Sequence, residues 1–239
     1  MTTELLGEEW YNILKEEFDK QYFKDLMSTV SAEYGSYKIL PKPLEVFSAF
    51  KLTTFTNLKV VIIGQDPYPN DHAHGLSFSS QKKETPPSLR VILREIDRSI
   101  WKTTTKEEYL QKVSSNNLTC WAKQGVLLLN SILTVRAGVP GSHDNIGWQK
   151  FTSKALETLW NDASPKVFVL WGHYAQLVFD SILKIDERNH VVLVAGHPAT
   201  AAHGNDLFSG NNHFLKINKF LGNIGQDQIN WEVHESSSN

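Results

Sequence analysis

The sequence predicts an α/β fold: a single-domain three-layer sandwich whose central, four-stranded, mostly parallel sheet is flanked by helices. Two observations carry this. Four short apolar runs, Val60-Val61-Ile62-Ile63, Val126-Leu127-Leu128-Leu129, Val167-Phe168-Val169-Leu170 and Val191-Val192-Leu193-Val194, are continuous rather than alternating, which is the pattern of strands covered on both faces. Amphipathic helical patterns lie between them, and strands that alternate with helices build parallel sheets.

Each element follows in order. Two amphipathic helices fill Glu8 to Ser31, ahead of the first run. After Pro86-Pro87, the segment Ser88 to Ser99 places Leu89, Ile92, Leu93 and Ile96 on one helical face, with Ser88 as the expected N-cap. Trp148 to Trp160 reads as a helix after the second run, Tyr174 to Leu183 after the third, and Asn212 to Leu221 after the fourth. Only the tail from Glu235, ending Ser236-Ser237-Ser238-Asn239, reads as disordered, leaving residues 1–234 as one domain.

Composition removes several function classes. Lysine plus arginine is 24 against 26 for aspartate plus glutamate, a net charge of −2. That excludes coating nucleic acid by bulk charge but not a local basic or dipolar site. The single cysteine, Cys120, excludes a disulfide framework and a cysteine-based zinc site. Met1 to Trp10 lacks a basic stretch followed by an apolar one, and no apolar stretch approaches the ~20 residues of a membrane span. The expectation is a cytoplasmic protein without membrane contact.

Chemistry gathers at the carboxyl ends of the four runs. They lead into Gly64-Gln65-Asp66-Pro67-Tyr68-Pro69, Asn130-Ser131, Trp171-Gly172-His173 and Gly196-His197-Pro198. Open parallel sheets bind ligands outside these ends. Ordinary turn chemistry accounts for any one of the four segments. All four together, with Gln65, Tyr68 and His197 as residues that turns do not favour, point to a binding site.

These segments resemble a known family. Gly64-Gln65-Asp66-Pro67-Tyr68, followed by Ala73-His74-Gly75-Leu76-Ser77-Phe78-Ser79, is similar to the water-activating loop and base-stacking segment of family-1 uracil-DNA glycosylases. Leu127-Leu128-Leu129-Asn130 with Leu133-Thr134-Val135-Arg136-Ala137-Gly138 resembles that family's uracil-reading strand. His143 with Gly147-Trp148, Leu170-Trp171-Gly172, Ala175-Gln176, His197-Pro198, Asn212-His213-Phe214 and Ile229-Asn230-Trp231 continue the likeness in order. It extends over roughly residues 10–231.

The resemblance implies excision of uracil from an extruded nucleotide. It makes Asp66 the group that positions the hydrolytic water and stabilises the cationic sugar, and His197 the donor to uracil O2, best held neutral. Asn130 accepts from the ring N3–H and donates to O4, a pattern cytosine reverses. Phe78 stacks on the base, Tyr68 excludes a methyl at C5, and Gln65 contributes backbone amides. Pro86-Pro87-Ser88 resembles the loop that compresses the DNA backbone; Ser88 is equally suited to plain N-capping. His173 stands where a phosphate-contacting serine is common in the family.

Two stretches depart from the family. Pro69 replaces a phosphate-contacting histidine and removes a backbone N–H. The intercalation loop, His-Pro-Ser-Pro-Leu-Ser in the family, is His197-Pro198-Ala199-Thr200-Ala201-Ala202. Without a gap, the leucine wedge becomes Ala201 and both backbone-pinching serines become Ala199 and Ala202; a shifted alignment puts Thr200 near the wedge. Two alternatives follow: a preference for single-stranded substrate, or a substitute wedge such as His203, Leu207 or Phe208. Asp71, His72 and His74 suggest a metal at first sight but fall short of a full ligand set, so neither metal nor organic cofactor is expected. Lys82, Lys83, Lys102 and Lys106 read as solvated surface.

The implied function is a monofunctional, monomeric hydrolase that takes uracil from single- or double-stranded DNA and leaves an abasic site. A DNA-mimic inhibitor protein is a possible partner. The alternative is a glycosylase-fold protein that binds DNA or a partner with weak or no catalysis.

Overall fold

The four apolar runs form strands that each extend one residue beyond the run: β1 (Val60–Gly64), β2 (Val126–Asn130), β3 (Val167–Trp171) and β4 (Val191–Ala195). A computed structural model of the chain describes residues 2–182, 189–204 and 206–234. The expected tail at 235–239 lies outside the described residues, as does Leu183 at the end of a predicted helix. The strand order is β2-β1-β3-β4, and all three pairings are parallel. The register pairs Gly64 with Asn130 and Trp171 with Ala195. The chemistry-bearing ends therefore finish level along one rim.

β1, β2 and β3 are buried at every position. β4 corrects the expectation of four doubly covered strands. Like β2 it is an edge strand, but unlike β2 it is not fully covered: Val192 and Val194 are 38% and 52% exposed. A continuous apolar run reports hydrophobicity, not how many layers lie above it.

Among the helices are α1 (Glu8–Phe18), α2 (Gln21–Ser36), α3 (Pro87–Ile96), α4 (Trp148–Trp160), α5 (His173–Ile182) and α6 (His213–Asn223). In α3 the N-cap is Pro86 rather than Ser88, and Pro87 takes the first helical position. That position suits a residue without an N–H and with a fixed φ. α3 continues into a π-helical turn over Asp97–Trp101, which ends at Lys102 in the left-handed region. Beyond the predicted elements, Ile39–Leu40 pairs antiparallel with Val135–Arg136. The His197-Pro198-Ala199-Thr200-Ala201-Ala202 segment is not a loop: residues Pro198–Ala202 form a short helix that packs on α3.

Trp10, Trp121, Trp148, Trp171 and Trp231 are fully buried. The indole N–H of Trp10 donates to Thr53 O and that of Trp148 to Thr134 Oγ1, which offsets the cost of burying them. No described helix is long and apolar enough to cross a membrane.

Candidate active site

A cavity of about 200 Å³ opens at the carboxyl rim of the sheet. It is smaller than the roughly 300–1,000 Å³ of sites for drug-sized ligands, a scale that suits one small ring. Gly64 to Pro69 at the end of β1 and after it, with Ala73, Gly75, Leu76, Phe78, Ser88, Asn130, His197 and Ala199, line it. Asp66, Tyr68, Phe78, Asn130 and His197, separated by up to 131 residues of sequence (197 minus 66), thus share one wall system.

Asn130 ends β2 and is 7% exposed. Its side-chain amide has no hydrogen-bond partner among the described residues, although it lines the cavity. A buried amide without a partner is expensive unless a ligand supplies one. Gly64 makes room for it: a Cβ there would lie 2.2 Å from Asn130 Oδ1.

Phe78 holds a left-handed backbone, φ 62°, which is uncommon for a bulky residue and costs energy. The conformation brings its ring 5.8 Å from the His197 ring and 5.4 Å, edge to face, from Trp171. Trp171 is fixed in turn by its indole N–H, which donates to His213 Nδ1 at 3.1 Å. Burial drops the His213 pKa to about 4, so this acceptor stays neutral.

Tyr68 and Ser88 share a hydrogen bond of 2.7 Å between hydroxyls. Burial pushes the Tyr68 phenol up to about 12. Ser88 is itself buried and lines the cavity.

His197 is the N-cap of the Pro198–Ala202 helix, and its Nδ1 accepts the Ala199 N–H at 3.1 Å. An accepting Nδ1 leaves the ring proton on Nε2. Burial lowers the imidazole pKa, so the ring is neutral at pH 7 and presents one N–H. Gly172, at φ +88°, allows the approach of His197, because a Cβ there would sit 2.8 Å from His197 Cβ.

Asp66 is half-buried, and its Oδ2 accepts the Gly141 N–H at 2.9 Å. Burial raises its pKa, the Gly141 N–H opposes that, and the Asp144 charge adds to the rise. Sequence reasoning missed Gly141 and Asp144. A backbone N–H leaves no mark in the sequence, and the turn that delivers it has no periodicity.

The remaining predicted residues are distributed as follows. Gln65 is exposed at the cavity edge, and its carbonyl accepts the Ile132 N–H at 2.9 Å. Pro86 is buried, whereas Pro87, His173 and Thr200 are exposed; Ala199 and Ala201 are half-buried. Ala202 is the last helical residue of its segment. Phe208 is fully buried with its ring 5.1 Å from Trp171, which removes it as a wedge. Leu207 is 70% exposed. His72 Nδ1 and His74 Nε2 each share a hydrogen bond of 2.6 Å with a serine hydroxyl, Ser80 and Ser79 respectively.

Comparison with known proteins gives the family and the fold. The family model for the uracil DNA glycosylase superfamily matches residues 50–222. Uracil-DNA glycosylase 2 of Bacteroides fragilis is 44% identical over 228 residues, 95% of this chain and 98% of that protein. Uracil-DNA glycosylase of Amoebophilus asiaticus is 44% identical over 224 residues, 93% of this chain and 96% of its own. The crystal structure of mimivirus uracil-DNA glycosylase superposes with a TM-score of 0.80 at 25% identity, covering 98% of this chain and 90% of that one. A variant of the mimivirus protein, crystallised in complex with UGI, fits equally well with a TM-score of 0.80. Family match, relatives and fold coincide, and the chain belongs to the uracil-DNA glycosylase superfamily.

Proposed function

We propose that this chain hydrolyses the N-glycosidic bond of deoxyuridine in DNA, releasing free uracil and leaving an abasic site in an unbroken strand. One observation carries the reading: an amide that opens to the cavity with no partner among the described residues (Asn130), a neutral imidazole with a single N–H (His197) and a half-buried carboxylate (Asp66) converge on one ring-sized cavity.

The chemistry follows from that arrangement. Only an extruded nucleotide reaches such a slot. The bond from C1′ to N1 breaks with its electron pair going to uracil, whose O2 becomes negative while the sugar becomes cationic. The His197 Nε2–H stabilises the developing charge at O2. The Asn130 amide accepts from N3–H and donates to O4, and cytosine would leave both groups unpaired. Asp66 orients water and accepts its proton as the oxygen bonds to C1′; uracil departs as the anion, and the proton held by Asp66 passes through solvent to it, which returns Asp66 to the carboxylate. Phe78 stacks on the base, Tyr68 closes the space beside C5, and Gln65 contributes through its backbone.

Single-stranded DNA is the proposed preferred substrate. With Ala199, Thr200, Ala201 and Ala202 in the intercalation segment, no large apolar wedge stands there, and unstacking a base from a duplex costs a few kcal/mol. Pro86, Pro87, Ser88 and His173 form the proposed rim for the DNA backbone. The site is complete within one chain, which supports a monomer, and the bacterial relatives support a cytoplasmic setting. A DNA-mimicking inhibitor protein is a proposed ligand of the same rim.

Release of free uracil from an oligonucleotide carrying one uracil tests the reading. His197→Ala is expected to lower turnover at least ~100-fold. Tight DNA binding without uracil release would instead favour a binding protein. Matched single- and double-stranded oligonucleotides test strand preference, and equal rates would refute it.

A further inference from the structure

We infer that Asp144 is a positioning residue for this hydrolysis: its carboxylate, held against Gly141, sustains Asp66 as the proton acceptor for water. The inference rests on the hydrolase reading above.

The turn after the Val135–Arg136 ribbon folds against the Asp66 loop and is tied to it twice. The Gly138 N–H donates to Pro69 O at 2.6 Å, and the Gly141 N–H donates to Asp66 Oδ2 at 2.9 Å. Gly141 has φ +71°, and a Cβ there would lie 3.0 Å from Asp144 Oδ2 and 3.5 Å from Oδ1. The Asp144 carboxylate therefore stands against the residue whose N–H holds Asp66. The Asp144 N–H donates to Gly141 O at 3.0 Å, which locks the two together, and the Gln149 side-chain amide donates to Asp144 O.

Nothing described neutralises this carboxylate. Asp144 Oδ1 is buried without a hydrogen-bond partner, and no ion pair reaches Asp144 among the described residues. The other titratable groups on this turn are engaged with one another. Arg136 grips Glu33 through two donors at 2.6 Å each, while His143 shares hydrogen bonds with Glu33 and Thr134. On the cavity side, His197 is neutral and Tyr68 is bonded to Ser88. An unpaired, partly buried carboxylate costs stability.

Its effect on Asp66 has a definite sign. A like charge disfavours the ionised form, so Asp66 binds a proton more tightly with Asp144 present. A stronger base takes the proton of attacking water more readily, provided it is still ionised at working pH.

The test is Asp144→Asn, which keeps the size while removing the charge. The single-turnover rate on single-stranded uracil DNA is measured from pH 4 to 9, with the melting temperature as a check on folding. The acid limb is expected to move to lower pH and the plateau rate to fall roughly two- to fivefold, so the profiles cross and the variant is faster at the acidic end. KM is expected to stay unchanged. In an Asp66→Asn background, Asp144→Asn is expected to have no further effect. Asp144→Ser is read in the same way if the amide variant folds poorly. An unchanged pH profile, or an equal loss with and without Asp66, overturns the inference. Failure of the hydrolase reading looks different: the unmodified chain releases no uracil, or Asp66→Asn keeps full turnover.

Discussion

The Tyr68 and Ser88 hydroxyls lie 2.7 Å apart, joining the loop after β1 to the first turn of α3. Tyr68 has one further contact through its hydroxyl, to Phe78 O at 3.4 Å. Ser88→Ala therefore frees a ring that faces the cavity. Excision of 5-fluorouracil or thymine relative to uracil is expected to rise, while uracil turnover falls by no more than ~10-fold, the worth of one hydrogen bond. Competition between oligonucleotides differing only at C5 measures it. If Ser88 serves only a DNA phosphate, KM and its salt dependence change instead and base preference stays fixed.

Gly64→Ala places a methyl group 2.2 Å from Asn130 Oδ1 and 2.8 Å from Ser77 Cβ. The amide must move. Because a displacement of about 1 Å in a positioning group costs ~100-fold, uracil release is expected to fall by that order. The measurement is kcat/KM alongside a melt that confirms the fold; near-normal turnover would show that Asn130 does not read the base.

Asp66 carries opposite consequences for activity and stability. Its folded-state pKa is raised, chiefly by burial, so the native protein holds that proton to higher pH than the unfolded chain does. Stability contributed at Asp66 is greatest below its unfolded pKa and is lost as pH rises through the folded one. Asp66→Asn is expected to raise the melting temperature at pH 7 while lowering turnover at least ~100-fold. In the unmodified enzyme the acid limb of kcat/KM should lie above the ordinary aspartate range. A melting temperature that falls in Asp66→Asn would contradict the sign.

Leu207 and Phe208 are neighbours with opposite exposure, 70% and 0%. Phe208→Ala empties space beside Trp171, with an expected cost of about 3–5 kcal/mol by urea unfolding. Leu207→Ala is expected to change stability by less than ~0.5 kcal/mol. Should Leu207 fill the gap left by an extruded base, its truncation slows excision from duplex but not from single strands.

The sheet was legible because short continuous apolar runs alternating with helical patterns mean strands of a parallel sheet, and α4 begins and ends on the predicted tryptophans, Trp148 and Trp160. The rest had physical reasons to stay hidden. A ribbon of two residues per strand has no period to detect. A proline already suited to a helix start moved the cap of α3 from Ser88 to Pro86. Whether an apolar strand is covered depends on what packs over it: β2 and β4 are both edges, yet β2 is buried throughout while Val192 and Val194 of β4 are exposed. The strand-end rule alone places Asp66, Asn130 and His197 on one rim. Gly141 escaped because its contribution is a main-chain N–H.

Gly64 and Asn130 are direct partners in the ladder between β1 and β2. The floor of the cavity is thus built from the same rungs that hold the molecule together, and it has no scaffold of its own to soften first. Heating should extinguish catalysis and melt the sheet at one common midpoint, and a truncation that removes either strand should leave nothing able to grip a pyrimidine.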